Sequence, residues 1–185
     1  MVAEDTIHQE MLIINKVANS GLLTLDLEEL YDSAERVLFD IKPLLFQELL
    51  LREKDFRDFI KTHDWNQYHG KNVAIICSAD AIVPVWAYML LAVQLQPFAK
   101  RTIFGSLEEL ENILFREAIA KIDIKQFQDA KVVIKGCSKQ PVPIAAYIEI
   151  TNLLRPVASS IMYGEPCSTV PIYKKAKLKN IDEQK

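Results

Sequence analysis

No stretch of this sequence is both apolar and long enough to span a bilayer. Its most hydrophobic window, Val83 to Leu95, covers 13 residues in mid-chain, against about 20 for a membrane-crossing helix. The N-terminus, MVAEDTIHQEM, is acidic and polar, without the basic patch, apolar run and small-residue cleavage site of an export signal. A cytoplasmic location is expected. Basic excess is also missing: 22 Lys plus Arg stand against 25 Asp plus Glu, for a net charge of −3, which argues against nucleic acid as a partner. With five glycines, no Gly-rich phosphate loop is present. The first candidate strand-to-helix turn, Cys77-Ser-Ala-Asp-Ala-Ile-Val-Pro, matches neither dinucleotide nor nucleoside-triphosphate fingerprints. A GxSxG elbow and a histidine near any rim serine are absent too, which disfavours a hydrolase triad. Three cysteines cannot all pair, so they read as thiols of a reducing compartment: core residues, reactive groups or metal ligands.

What is present suits one packed domain with room for a small appendage: 185 residues, 50% hydrophobic and 25% charged. An internal repeat organises its second half. Asp64 to Gly105 aligns with Asp123 to Gly164. The offset is 59 for Asp64/Asp123 and Gln67/Gln126, then 60 for Lys71/Lys131, Val73/Val133, Cys77/Cys137 and Ser78/Ser138. It returns to 59 for Val83/Val142, Pro84/Pro143, Ala87/Ala146, Tyr88/Tyr147, Leu95/Leu154, Pro97/Pro156, Ala99/Ala158 and Gly105/Gly164. The alternative is a chance match between two apolar strand–helix units. Against it, the identities fall on Cys-Ser, Val-Pro, Pro and Gly punctuation.

Each copy reads as strand, helix, strand. The run from Lys71 to Cys77 suits a strand buried on both faces, and Pro84 opens a helix where its missing N–H costs nothing. That helix, apolar nearly all round, ends near Pro97, and Arg101 to Gly105 returns as a strand. Lys131 to Cys137, Val142 to Arg155 and Val157 to Gly164 repeat the plan. Between the copies, Ser106-Leu-Glu-Glu starts a helix with a capping box. The expected fold is therefore α/β: a doubly wound, mostly parallel sheet from a duplicated βαβ unit, with an N-terminal hairpin and helix. Residues 22–27 and 36–41 alternate like strands and read as a hairpin or an addition to the sheet edge, and the helix runs from Pro43 to about Thr62. Residues 1–62 pack on a core at 63–173, and 174–185 form a flexible tail.

Doubly wound topology places the strands in order 2-1-3-4, with the Cys77 and Cys137 strands adjacent and their carboxyl ends on the ligand-binding rim. Cys167, three residues past Gly164, falls on the same edge. Each cysteine is followed by serine (Ser78, Ser138, Ser168) and, shortly after, by Val-Pro. A thiol near a helix N-terminus gains thiolate character, thiolate binds metal, and neighbouring hydroxyls can donate to the sulfur. Cys77, Cys137 and Cys167 are thus candidate ligands for Zn or an iron–sulfur cluster, with Asp80 or Glu165 as fourth ligand, or that position open. The plain alternative is three buried core thiols. His8, His63 and His69 read as surface residues away from the site. Trp86, opposite Ala145 in the other copy, reads as asymmetric core filling.

The strings VANSGLLTLDLEEL, EKDFR, HDWNQY, CSADAIVPVWAYMLLA, AKIDIKQF, DAKVVIKGCSKQPVP and GEPCSTVPIYK closely resemble a bacterial family, domain of unknown function 2480, from about Ile14 to Lys174. The resemblance carries no established activity. Members of that family often lie near iron–sulfur cluster assembly genes, which implies iron, sulfur or zinc handling by the cysteines and iron–sulfur assembly proteins as partners. Three readings follow: a metal-binding or iron–sulfur-associated accessory protein, a thiol enzyme or persulfide carrier, and an interaction module with inert cysteines.

Overall fold

The computed structural model describes residues 15–16, 22–136 and 138–176. The described residues form a mixed α/β structure with four α-helices and two sheets of mostly parallel strands. It divides into two compact units. One consists of Asp32–Leu114; the other combines the residues up to Tyr31 with those from Phe115 on.

The Asp32–Leu114 unit holds the parallel strands β3 (Arg36–Asp40), β4 (Asn72–Ile76) and β5 (Arg101–Phe104), in the order β3-β4-β5. Helices α1 (Glu53–Thr62) and α2 (Val85–Leu95) share a core with Phe39, Val73 and Ile75. On α2, Ala87, Leu91 and Leu95 recur at four-residue spacing and are fully buried, each leucine worth about 2 kcal/mol of burial. The alternate residues Ala74 and Ile103 face Leu110 and Leu114 of α3 (Leu107–Ile119). Strands covered on both faces explain the unbroken apolar run of β4.

In the other unit, β2 (Leu22–Asp26), β6 (Lys131–Lys135) and β7 (Ser160–Glu165) are parallel, flanked by antiparallel β1 (Asn15–Lys16) and β8 (Ser168–Lys174). Helix α4 (Ile144–Leu154) buries Ala146, Ile150 and Leu154 with Leu25, Leu27, Val132 and Ile134.

Equivalent backbone bonds recur in both units at a constant offset of 59. Gly70 N–H donates to Phe98 C=O at 2.9 Å, as Asp129 donates to Val157 at 2.8 Å. Lys100 donates to Lys71 at 2.8 Å, as Ser159 does to Ala130 at 2.8 Å. Gly70 and Asp129 share a positive φ (69° and 53°), as do Gly105 and Gly164 (138° and 120°). Tyr88 meets Phe104 edge-on at 5.2 Å, and Tyr147 meets Tyr163 at 5.7 Å. The strands therefore need no inserted residue: Val73 corresponds to Val132 and Ile75 to Ile134. The residue equivalent to Cys77 is Gly136.

Three expectations change. The strands occupy two sheets instead of one doubly wound sheet, so the strands preceding Cys77 and Cys137 are not neighbours. The N-terminal hairpin does not form, whereas the alternative of an edge addition holds for β3: it pairs in parallel with β4 at the edge of its sheet, and β2 pairs in parallel with β6. Leu25 and Leu27 bury in the core of one unit and Phe39 and Ile41 in that of the other, so each strand matches a different middle strand. The long helix begins only at Glu53, after a short 3₁₀ turn at Lys42–Leu44. Between them Gln47 and Glu48 have φ of 52° and 57°, a left-handed pair that a right-handed helix cannot contain.

Candidate functional site

At the carboxyl end of β4 the chain turns through Cys77 and Ser78 toward α2. Asp40, the last residue of the neighbouring β3, reaches across. Ser78 donates its N–H to Asp40 Oδ1 at 3.0 Å and its hydroxyl to Oδ2 at 2.5 Å, while Lys42 N–H donates to Oδ1 at 3.0 Å. Burial pulls the Asp40 pKa upward, but the Ser78 hydroxyl and the two N–H donors outweigh it and hold the carboxyl below its ordinary value. Cys77 is a half-buried free thiol whose Sγ donates to Ala79 C=O at 3.6 Å. Asp80 is exposed in the following loop.

The other unit repeats this clasp with a different carboxylate. Glu28 accepts the Ser138 N–H, the Ser138 hydroxyl (3.0 Å) and the Lys139 N–H (3.0 Å). Beside it Lys135 Nζ pairs with Asp26 Oδ2 at 2.9 Å, and the hydrogen bond and charge of Asp26 raise the lysine pKa. Asp26, Lys135, Gly136, Ser138, Tyr163, Gly164 and Glu165 line a cleft of about 180 Å³ at the carboxyl ends of β2, β6 and β7. Cys137 lies outside the described residues. Cys167 is exposed in the two-residue turn between β7 and β8, where Glu165 pairs with Ser168.

Ser138 and Glu165 thus share one cleft, with Ser168 across the hairpin from Glu165. Cys77, Ser78 and Asp80 belong to the Asp32–Leu114 unit. Among the described residues no group of three His, Cys, Asp or Glu side chains stands ready to hold a metal ion.

The carboxylates Asp40 and Glu28, and the Asp26–Lys135 pair, were not singled out from the sequence. A signal existed: β2 and β3 both end in aspartate, in LTLD and VLFD. Without knowledge of the parallel pairing, nothing tied those aspartates to the Cys-Ser strings.

His63 differs from its expected place on the surface. It ends α1 half-buried, its ring 4.6 Å from Phe59 and 4.7 Å from Trp65, with Nε2 3.0 Å from the Tyr68 hydroxyl. Burial lowers its pKa against the opposing charge of Asp64. His69 is exposed and His8 lies outside the described residues. Trp86 packs its ring on Phe56 of α1 at 5.9 Å, filling volume where the other unit has Ala145.

No described helix is long and apolar enough to cross a membrane. Comparison with curated proteins and with solved structures gave no match. Residues 11–175 match the family model described as Protein of unknown function (DUF2480), and the chain belongs to that family.

Proposed function

We propose that this is a cytosolic accessory protein that binds a thiophilic metal ion, zinc or iron, or an iron–sulfur cluster through Cys77, Cys137 and Cys167. The observation that supports this reading is the twofold recurrence of a Cys-Ser string at the end of a middle strand, its serine clasped by a carboxylate from the adjacent strand or turn. A held backbone beside the sulfur reduces the ordering cost of ligation. The matched bonds of the two units support descent from one strand–helix–strand unit by duplication. Asp80, or Glu165 two residues before Cys167, supplies the fourth ligand, or that position is taken by water or by a partner. The family resemblance points to iron–sulfur assembly proteins as such partners.

The test is metal and acid-labile sulfide analysis of protein purified without oxygen, with each Cys→Ser variant alongside. The expected result is a stoichiometric metal or cluster that is lost when any ligand is replaced. Metal content near zero under all conditions removes the proposal.

The exposure of Cys167 supports a second reading, a thiol catalyst or persulfide carrier. It predicts one cysteine alkylated far faster than the others in protein as isolated, whereas ligation protects all three until the metal is stripped.

A further inference from the structure

The two carboxyl edges differ in their side chains. Where the Asp32–Leu114 unit has Ile76, Phe104 and Ser106, the other has Lys135, Tyr163 and Glu165 at the same offset of 59. The fold does not require the charged set, since the same edge is built without it. In the second unit those three residues open onto the cleft with Asp26 and Ser138.

We propose that this cleft binds a small zwitterion, an α-amino acid, with its carboxylate on Lys135 and its ammonium on Glu165 and the Ser138 oxygen. An ammonium has three donors, and Lys135 Nζ uses one on Asp26 at 2.9 Å. The Glu165 carboxylate makes no hydrogen bond or close ion pair among the described residues, although its charge reaches Lys135, and it stands on the cleft wall. The Ser138 hydroxyl spends its proton on Glu28, which leaves its oxygen as an acceptor on a residue that lines the cleft. Tyr163 adds an aromatic wall suited to an ammonium or an apolar side chain. The charges also exclude simpler ligands. Asp26, Glu28 and Glu165 repel a polyanion, and the described carboxylates do not converge as a group of three that could hold a metal ion. A molecule with both charges satisfies both ends. The volume, about 180 Å³, lies below the ~300–1,000 Å³ of pockets for drug-sized ligands.

The inference does not use the thiols, and its test keeps the two proposals apart. Calorimetric titration of reduced, chelator-treated protein, and of the triple Cys→Ser variant, would use glycine, L-alanine, L-serine and L-methionine. L-Alanine methyl ester and N-acetyl-L-alanine serve as singly charged controls. Binding of at least one amino acid is expected in both proteins, weakened about tenfold or more when either charge is removed from the ligand. Glu165→Gln, at an exposed position, and Lys135→Met should each weaken binding by a similar factor, with circular dichroism confirming the fold; Phe104→Tyr in the other unit should leave it unchanged. Absence of binding up to about 10 mM, an affinity weaker than any useful small-molecule site, overturns the proposal. Equal binding of the singly charged controls, or indifference to Glu165→Gln, also overturns it.

Discussion

Cys77 and Gly136 occupy the same position in the two units, one residue past the middle strand, although the sequence aligns Cys77 with Cys137. A Cβ on Gly136 would lie 3.0 Å from the Tyr147 hydroxyl oxygen, 3.2 Å from Leu27 Cβ and 3.3 Å from Val142 Cγ2, at a φ of 148°. A side chain at that place in the second copy meets crowded neighbours and a strained backbone, and its cysteine comes one residue later in the sequence. Gly136→Ala should destabilise the protein by about 2–3 kcal/mol, combining overpacking with backbone strain. Gly70→Ala, where φ is 69° and nothing lies within 4 Å, should cost about 1 kcal/mol from strain alone. Urea unfolding of both variants checks the difference; equal losses would remove the packing argument.

Asp40 clasps the Cys77 turn as a charged acceptor. Asp40→Ala should lose about 1.5–3 kcal/mol at neutral pH, the usual range for hydrogen bonds to a charged group. Its folded pKa lies below the ordinary 3.8, so this stability is fully present above the unfolded value and disappears as pH falls through the folded one. Wild type and variant should converge in strongly acidic urea titrations. A gap that persists there would mean the aspartate acts through packing instead of charge.

His63 carries the opposite proton linkage from a histidine paired with a carboxylate. Burial places its folded pKa below 6.5, so the folded state resists the proton that the unfolded chain accepts. The contribution is present above 6.5 and declines as pH falls toward the folded pKa. Between about pH 7 and 5 the wild type should lose stability more steeply than His63→Gln. Parallel slopes in denaturant titrations would show that the ring titrates as it does in water.

The described thiols differ in access. In reduced, metal-free protein Cys167, exposed at a hairpin turn, should be alkylated several-fold faster than Cys77, which is half-buried and bonded to Ala79. Mass spectrometry of timed iodoacetamide reactions resolves the two sites. Equal rates would show that the Cys77 turn opens freely.

Local pattern alone determined much of this protein. The β-branched runs before Cys77 and Cys137 are strands, Pro84 and Pro143 precede helices, and Ser106 caps α3 by bonding Glu109 N–H at 3.2 Å. Those features depend on neighbours within a few residues, which composition and spacing record. Strand partnership was decided only in three dimensions. LTLD and VLFD are equally suited to a hairpin with each other or to parallel edges beside two different middle strands. The choice fell to the apolar faces that Leu25 and Phe39 bury in separate cores. The same long-range choice brought Asp40 and Glu28 onto the serines after the cysteines and gathered Asp26, Lys135 and Glu165 around one cleft. Sequence spacing carries no trace of such encounters, because they arise from which surfaces leave water together.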